Sequence, residues 1–356
     1  MTKYLAERRK RILSKAEQAE AKYVLVSSPE NIYYFTDFWG GSYALISQEQ
    51  CLLFTGVLEA FRALNTAFGA KIVSIPVGAS PFSIVKKHVQ KGSKILSEDI
   101  SFTQKDMFEK KLEVSLEASS KPFYDLRRSK DENEVRVIKE TSKLLDQLYD
   151  ETLKIVKEGI TERETASKII GKGVEMGLEM SSGLEPIIIA TGPNSAYPHA
   201  PVTNRKLRKG DVITGDYFFR YKAYISDETR TFVFGKATKD FKEAYETVHF
   251  AQEEGIKAVK PGSVTGKVDA VCRKIINNSK FSEYYIHGTG HGVGLEVHEP
   301  PTLTIDQTDK LVLGDIVTIE PGVYIPGKFG IRIEDTVYVG EKVRILTGFT
   351  KELIEV

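Results

Sequence analysis

The stretch DVITGDYFFRYKAYISDETRTFVFG, residues 211–235, is the most informative part of this sequence because it places two aspartates inside strand-like sequence. Its β-branched and aromatic residues predict half-buried or buried strands, and aspartate is depleted in strands. We expect a hairpin that turns at Tyr221 and Lys222, with Asp216 directly opposite Asp227 on one face of the sheet. Two like charges at that spacing are destabilising unless something positive lies between them.

A second pair of strand-like segments near the C-terminus, DIVTIE and GIRIEDTVYV, also carries acidic residues within apolar sequence. Glu320 ends the first segment, and alternation in the second places Arg332 and Glu334 on the face opposite Ile331. Any one such carboxylate alone is more often solvent-facing or paired with Lys or Arg, and that alternative stays open for each. Four together, if buried and unpaired, would cost several kcal/mol each, so the set favours a site for two divalent metal ions.

Three of the six histidines lie in HGTGHGVGLEVHE, residues 287–299. His287 and His291 are four residues apart, a spacing that would place both rings on one face of a helix. The four glycines between His287 and Leu295 make this stretch a poor helix, so a helical zinc site is excluded. Glycines flank His291 and would let the backbone approach a crowded site, so His291 is the candidate imidazole ligand. His298 follows on what we expect to be a short extended segment.

The order of the predicted elements indicates two domains. In the first third, short apolar runs such as YVLVSS alternate with helical patterns, and YALIS with CLLFTG predicts a hairpin. A break near Pro122 precedes a long helix from Glu132 to Lys157, and we place the boundary at about residue 125. Two helices, strands, two further helices (Lys239 to Val259 and Val264 to Asn278) and more strands then predict an α+β domain with two similar halves.

Composition narrows the class of protein. The chain has 356 residues, 41% hydrophobic and 28% charged, with a formal net charge of +1. A net charge this close to zero gives the protein no overall electrostatic attraction for nucleic acid or for a membrane surface, and we expect neither as a partner. Cys51 and Cys272 are far apart in sequence, which favours inert thiols in a reducing compartment. The first ten residues lack the apolar core of a signal peptide, so the cytoplasm is the expected location.

The five candidate ligands resemble, in order, spacing and local context, those of the pita-bread metallopeptidases, a family that includes methionine aminopeptidase, aminopeptidase P and prolidase. The ligands are Asp216, Asp227, His291, Glu320 and Glu334. SSPENIYYFTDFWGG resembles the extra N-terminal domain of prolidases and aminopeptidases P. The resemblance therefore implies an α+β fold in which residues 1–125 form a smaller α/β, creatinase-like domain and residues 126–356 form the catalytic pita-bread domain.

The resemblance also implies the chemistry. Two divalent ions per chain, Mn or Co first and Zn or Fe as alternatives, would activate a water that attacks an Xaa-Pro peptide bond. Glu320 resembles the proton shuttle as well as a ligand, and His298 and His199 (in TGPNSAYPHAP) resemble the histidines that hold the substrate and stabilise the intermediate. Arg332 resembles an arginine that orients a ligand carboxylate, although a simple cross-strand ion pair remains an alternative. His287 would line the site without binding metal, or be purely structural.

The substrate implied is a peptide with proline at its second position, most simply a dipeptide, as for prolidases. Thr302 stands near where prolidases carry an arginine, so longer Xaa-Pro-Yaa peptides, as for aminopeptidase P, are an alternative. A non-peptidase hydrolase or lyase on the same scaffold is a second alternative, and a non-catalytic binding module would require a missing ligand. Phe218 stands where the family commonly has glycine and is expected to repack its strand. Relatives with this N-terminal domain dimerise, so a homodimer is expected, with the aromatics of NIYYFTDFWGG in the interface or in the core.

Overall fold

The computed structural model of the chain describes residues 2–180 and 187–356. It divides into two compact units, Met1–Arg127 and Arg128–Val356. The first unit is an α/β sheet with flanking helices, and the second alternates pairs of helices with groups of strands. The predicted fold class, an α+β domain preceded by a smaller α/β domain, is therefore confirmed.

The first unit is built on one six-stranded sheet with the strand order β4-β3-β2-β1-β5-β6. β1 pairs parallel with β5 and antiparallel with β2, and the predicted β2–β3 hairpin is present. The elements are α1 (Thr2–Gln18), β1 (Tyr23–Val26), α2 (Pro29–Thr36), β2 (Tyr43–Ile46), β3 (Cys51–Gly56), α3 (Val57–Thr66), β4 (Lys71–Ile75), α4 (Pro81–Val85), β5 (Lys94–Ser97), α5 (Phe102–Leu112), β6 (Ser115–Ala118) and α6 (Lys121–Arg128). Within NIYYFTDFWGG, Tyr34, Phe35 and Phe38 are buried, so the core alternative holds for these three aromatics.

The two predicted pairs of helices in the second unit are present. They are α7 (Glu132–Ile155), α8 (Glu162–Glu175), α9 (Lys239–Ala258) and α10 (Thr265–Asn277). The Asp131 side chain accepts a hydrogen bond from the Glu134 N–H at the start of α7, and the Glu134 side chain accepts one from the Asp131 N–H. Thr161 and Glu164 make the same two contacts at the start of α8. Each of these capping boxes satisfies backbone N–H groups that the first turn of a helix leaves unpaired.

The strands of the second unit form several small sheets. A three-stranded sheet has the order β11-β8-β7, a five-stranded sheet has the order β13-β12-β14-β17-β18, and two ribbons pair β9 with β10 and β15 with β16. The strands are β7 (Ile187–Thr191), β8 (Val212–Tyr217), β9 (Arg220–Tyr221), β10 (Tyr224–Ile225), β11 (Glu228–Val233), β12 (Gly290–Gly292), β13 (Glu299–Leu303), β14 (Ile316–Ile319), β15 (Gly322–Ile325), β16 (Phe329–Arg332), β17 (Asp335–Tyr338) and β18 (Arg344–Ile345). Each long strand-like run of the sequence is thus broken into shorter strands, and the proposed ligands lie at or beside the breaks.

The register of the hairpin differs from the predicted one by two residues. The turn falls at Lys222 and Ala223, both with positive φ, and Tyr221 pairs with Tyr224. Asp216 therefore pairs with Thr229 and not with Asp227, so the predicted direct opposition was wrong. A shift of two residues keeps the face unchanged, because side chains alternate with a period of two along a strand.

The core of the second unit lies between the helix pairs and the sheets. Phe241, Ala244, Tyr245 and Val248 of α9 are buried at helical spacing, and α9 packs against β14, β15 and β16. This apolar stripe holds the strands that carry the carboxylates. Among the residues described, no helix is long and apolar enough to cross a membrane.

Candidate metal centre

The structure brings all five predicted ligands to one cavity of about 340 Å³. Asp216 lies on β8, Asp227 precedes β11, Glu320 follows β14 and Glu334 lies between β16 and β17, while His291 is the central residue of β12. His199, His298 and Arg332 line the same cavity. The residues that sequence reasoning grouped together are therefore neighbours in space, although they come from five separate segments.

The glycines on either side of His291 are required by close backbone contacts. A Cβ on Gly290 would collide with the carbonyl group of Thr318, and one on Gly292 would lie 2.5 Å from the carbonyl oxygens of Glu299 and Pro300. β12 can therefore fit between β13 and β14 only with glycine at these positions. The prediction that glycine permits a close approach at His291 is confirmed.

The His291 ring presents one nitrogen to the carboxylates. Its Nδ1 lies 3.1 Å from the carbonyl oxygen of Gly292, so Nδ1–H donates there and Nε2 is left without a proton in the neutral ring. Nε2 lies 3.3 Å from Glu320 Oε1 and 3.8 Å from Asp227 Oδ2. One donor atom from each of Asp227, His291 and Glu334 lies within 4.8 Å of the other two, as a shared cation would require.

Three carboxylate oxygens of the cluster are buried and have no hydrogen-bond partner among the described residues. They are Asp216 Oδ1, Asp227 Oδ1 and Glu334 Oε1. Leaving a buried acceptor unsatisfied costs about 1–3 kcal/mol, and more for a charged group. All three oxygens belong to predicted ligands, and a divalent cation bound between them would supply the missing partner. The residues present therefore fit a metal site.

The pKa values of the carboxylates show the same shortage of positive charge. Burial, followed by the charges of neighbouring carboxylates, raises the pKa values of Asp227 and Glu334 well above their ordinary values. Burial is the largest single influence on Glu320 and acts in the same direction, but the hydrogen bond and positive charge of a protonated His291, with the charges of His287 and Arg332, together lower the pKa of Glu320 to about 2. The cluster therefore combines an ionised Glu320 with two carboxylates that ionise readily only beside a cation.

Arg332 is hydrogen-bonded to several groups of the site at once. Its Nη2 donates to Asp216 Oδ2 at 2.6 Å, its Nε donates to the Thr229 hydroxyl at 3.0 Å and its Nη1 donates to the Tyr324 hydroxyl at 2.9 Å. The two alternatives considered from sequence, an arginine that orients a carboxylate and a cross-strand ion pair, are thus the same contact. The buried ion pair joins the sheets and also fixes the Asp216 carboxylate. His287 Nε2 lies 2.9 Å from the Tyr324 hydroxyl.

Threonines support the proposed ligands, and sequence reasoning missed them. Thr229 donates to Glu334 Oε2 at 2.6 Å, and Thr318 donates to Glu320 Oε1 at 3.2 Å. Thr336 accepts from the backbone N–H of Asp227 and donates to its carbonyl oxygen. The available signal was position in the sequence, since each threonine lies two residues from a proposed ligand.

A buried aspartate on α10 ties the histidine segment to Glu320. Asp269 Oδ1 accepts from the backbone N–H and the hydroxyl of Thr289 at 3.0 and 2.9 Å. The carbonyl oxygen of Thr289 accepts from the Glu320 N–H at 2.8 Å. Arg273 on the same helix donates to Asp269 and to the carbonyl oxygen of His287. Asp269 was not singled out from sequence because it lies in an ordinary amphipathic helix.

The other candidate histidines, His199, His287 and His298, line the two cavities without joining the carboxylate cluster. The ring centroids of His298 and His291 are 4.2 Å apart, and His298 lies in a bend just before β13, not on the extended segment expected. Burial and the nearby His291 lower the pKa of His298. His199 lies exposed on the loop that follows β7, and its ring lines the cavity. His287 lines an adjoining cavity of about 390 Å³ that shares His199, His291, His298, Glu320 and Arg332.

Four carboxylates and one imidazole around a single cavity form a donor set that suits hard or borderline divalent cations. Fold and site together define a class, the metal-dependent hydrolases that activate a water between carboxylate-held ions. The sequence comparisons are more specific. The profile of metallopeptidase family M24 matches residues 136–341, and that of the creatinase/prolidase N-terminal domain matches residues 8–129. The chain belongs to metallopeptidase family M24.

Relatives of known sequence and structure resemble the chain over its full length. The Xaa-Pro dipeptidase of Pyrococcus furiosus is 32% identical over 98% of this chain and 100% of its own. The structure of the Xaa-Pro dipeptidase from Bacillus anthracis superposes with a TM-score of 0.91 at 30% identity, covering 99% of this chain and 100% of that one. The X-Pro aminopeptidase from Thermotoga maritima gives a TM-score of 0.88 at 28% identity, covering 96% and 100%. The resemblance inferred from the ligands is confirmed.

Proposed function

We propose that this protein hydrolyses the peptide bond between an N-terminal residue and proline, with Xaa-Pro dipeptides as its preferred substrates. The observation that carries the proposal is the single cavity lined by all five donors, three of which contribute a buried oxygen without a partner among the described residues. The proline requirement is supported by the two Xaa-Pro dipeptidases to which the chain is similar over nearly its whole length.

In this proposal two divalent ions are held by Asp216, Asp227, His291, Glu320 and Glu334. When bound, such ions lower the pKa of a water molecule and take up negative charge that develops on the substrate. Oxygen atoms dominate the donor set, which favours Mn²⁺ or Co²⁺, with Zn²⁺ or Fe²⁺ as alternatives. The site is closed to bulk solvent on the side of the sheets, since Asp216, Asp227 and Glu334 are buried.

The proposed catalytic residues are Glu320, His298 and His199. Glu320 lines the cavity beside His291 Nε2, and its carboxylate can accept the proton of an attacking water and return it to the leaving amine. His298 has a lowered pKa and is neutral at pH 7, so it can donate a hydrogen bond to the carbonyl oxygen of the substrate. His199 lines the same cavity and would hold the substrate beside the scissile bond.

Two further residues are proposed to support this set. Arg332 would hold Asp216 in place through its 2.6 Å hydrogen bond. His287 would border the adjoining cavity and stay neutral, because burial lowers its pKa. Neither residue is proposed as a metal ligand.

One observation favours a second candidate, cleavage of longer Xaa-Pro-Yaa peptides. Among the described residues that line the two cavities, Arg332 is the sole Lys or Arg, and its guanidinium already forms an ion pair with Asp216. Thr302 and Thr304 line the adjoining cavity and carry no charge that could bind the terminal carboxylate of a dipeptide. The chain is also similar to an X-Pro aminopeptidase.

A peptide panel tests the proposed function. Protein loaded with Mn²⁺ or Co²⁺ is incubated with Xaa-Pro, Xaa-Pro-Yaa and Met-Yaa peptides, and the release of free amino acids is measured. Cleavage of Xaa-Pro bonds, with no cleavage of Met-Yaa, is the expected result. No turnover of any peptide would leave a non-peptidase hydrolase or lyase on this scaffold as the better explanation.

We also propose that the protein is a homodimer. α3 presents Leu58, Phe61 and Leu64 to solvent at 93%, 77% and 68% exposure, three residues apart and so on one side of the helix. Exposed apolar patches of this kind mark interaction surfaces. Sedimentation velocity should show a dimer for the wild type and a monomer after Leu58→Glu with Phe61→Glu, whereas Thr66→Glu, an exposed position on another side of the same helix, should leave the dimer intact.

Two proposals concern organisation and location. Residues 1–125 and 126–356 are proposed as separate domains, supported by the two compact units of the structure, and limited proteolysis should cut between them.

The cytoplasm is proposed as the compartment, supported by two free, buried cysteines, Cys51 and Cys272. Fractionation of the source cells would test the location.

A further inference from the structure

A buried carboxylate outside the metal cluster binds both ends of the loop that carries His199. Glu162 is only 1% exposed and lies in the first turn of α8. Its Oε1 accepts from the backbone N–H of Thr191 at 2.8 Å and from the Thr191 hydroxyl at 2.9 Å. Its Oε2 accepts from the Thr203 N–H at 3.0 Å and from the Thr203 hydroxyl at 2.5 Å. Asn194 Nδ2 donates to both oxygens, at 3.2 and 3.0 Å.

These contacts hold both ends of the loop formed by residues 191–203 against the single carboxylate of Glu162. The Thr191 side also binds Arg205, whose guanidinium forms a two-pronged ion pair with Asp211. Backbone hydrogen bonds from Arg163 to the Thr203 carbonyl and from Glu162 to the Arg205 carbonyl hold the far end of the loop against α8. The loop is therefore fixed at its base, and Glu162 is the group that joins its two ends.

His199 lies at the other side of this loop and depends on it for its position. The imidazole is exposed and makes no hydrogen bond to any residue in the described ranges 2–180 and 187–356. Two hydrogen bonds join the loop to the site: Arg332 Nη1 donates to the Pro198 carbonyl oxygen at 3.2 Å, and the Gly330 N–H donates to the Ser195 hydroxyl at 2.9 Å. Loop geometry, and not a partner of the ring, therefore sets where the imidazole can lie.

We propose that Glu162 is a positioning residue for substrate binding, acting through the loop of residues 191–203 to hold His199 over the carboxylate cluster. The inference rests on the proposed role of His199 and deepens it. Glutamine is the informative substitution, because it keeps the shape of Glu162 but replaces one acceptor oxygen with an NH₂ group. That NH₂ would face donors of Asn194 and of Thr191 or Thr203, so contacts at one end of the loop would be lost.

The first test is amide hydrogen exchange in the complete chain without substrate. Glu162→Gln should speed exchange of the amides in residues 191–203 by about tenfold, the effect of losing one charge-assisted hydrogen bond. Thr203→Val removes one donor with little change in shape and should speed the same amides. The matched control is Glu175→Gln, which makes the same substitution at the exposed C-terminal end of α8 and should leave the loop unchanged. Unchanged exchange in both Glu162→Gln and Thr203→Val would overturn the proposal.

The second test is a double-mutant cycle with His199→Ala, measured as kcat and KM on Xaa-Pro dipeptides. If Glu162 acts through His199, Glu162→Gln and His199→Ala each lower kcat/KM, and combining them lowers it no further than His199→Ala alone. Effects that multiply would show that Glu162 only stabilises the fold, and would overturn the proposal. The exchange measurement needs no turnover, so a failure of the loop contacts is distinguishable from a failure of the proposed peptidase function.

Discussion

The guanidinium of Arg332 donates to the carboxylate of Asp216 across 2.6 Å, and both side chains are buried. The same guanidinium reaches Tyr324 and Thr229, so one cation fixes groups from three strands or strand ends. Its fork geometry is what allows several directed hydrogen bonds, which a lysine ammonium on a flexible stem cannot reproduce together. Asp216 lines the cavity, and its second oxygen is buried and has no hydrogen-bond partner in the described part of the chain.

Arg332→Lys should therefore retain the charge but lose the orientation of Asp216. We expect kcat/KM on Xaa-Pro dipeptides to fall by about 10- to 100-fold, the usual effect of losing a partner that orients a metal ligand. Arg344→Lys, an exposed change on β18, is the control and should leave kcat/KM unaltered. Equal activity in wild type and Arg332→Lys would mean that the ion pair does not orient the site.

Asp227→Asn should separate metal binding from folding. The substitution replaces a carboxyl group whose pKa is raised by burial and by neighbouring carboxylates with a neutral amide, so the chelated variant should unfold at the same temperature as the chelated wild type or a higher one. Mn²⁺ at 100 times its Kd should stabilise the wild type by about 2.7 kcal/mol and the variant by much less. Thermal unfolding with and without Mn²⁺ measures both. An equal gain in the two proteins would remove Asp227 from the ligand set.

The metal-free protein should lose stability contributed by the cluster as pH rises. The folded-state pKa values of Asp227 and Glu334 are raised, so their contribution is fully present below their unfolded values of about 4 and is lost as pH rises through the folded values. Glu320 has the opposite sign, but its pKa of about 2 places its transition below this range. Urea unfolding of chelated wild type and Asp227→Asn between about pH 5 and 8 should show the wild type weakening relative to the variant. A constant difference would show that Asp227 does not titrate in this range.

Thr302→Arg should change the preferred length of the peptide. Thr302 is exposed on β13 and lines the adjoining cavity, where an arginine could bind the terminal carboxylate of a dipeptide. We expect the ratio of kcat/KM for Xaa-Pro to that for Xaa-Pro-Yaa to rise about tenfold, the effect of one charge-assisted hydrogen bond. Thr302→Met adds bulk without charge and should not raise the ratio. An unchanged ratio in Thr302→Arg would place the dipeptide carboxylate elsewhere.

Gly290→Ala tests the close approach of β12 to β14. The new methyl group would collide with the Thr318 carbonyl, so β12 must shift and carry the His291 ring away from Glu320. We expect weaker Mn²⁺ binding by isothermal titration and destabilisation of about 1–3 kcal/mol, as for other overpacked sites. Gly171→Ala, where a methyl group would meet open space on α8, should bind Mn²⁺ as the wild type does.

The clustering of the carboxylates could be predicted from sequence because its signal is local. Asp216, Asp227 and Glu334 each stand out as charges within or beside apolar strands, and the face on which each lies follows from simple alternation. The register of the hairpin could not be predicted, because it depends on the positive φ values of Lys222 and Ala223, neither of which is glycine. A shift of two residues conserved the face, so the inference about the site survived an error in the turn.

The supporting contacts could not be predicted, because they join residues far apart in sequence. Asp269 meets Thr289 through the packing of α10, and Glu162 meets Thr203 through the first turn of α8. Each of these carboxylates lies in a helix whose pattern is ordinary, and nothing in the helix shows that the side chain is buried. Their partners become visible only when the chain is folded.

The central claim, a two-metal Xaa-Pro peptidase, is tested most directly by titrating the chelated protein with Mn²⁺ while Xaa-Pro dipeptide hydrolysis is followed. Without metal the rate should be at the background of the uncatalysed reaction, and it should rise to a plateau as two ions bind per chain. Hydrolysis that persists in the chelated protein, or no hydrolysis of Xaa-Pro dipeptides at any Mn²⁺ concentration, would contradict the claim.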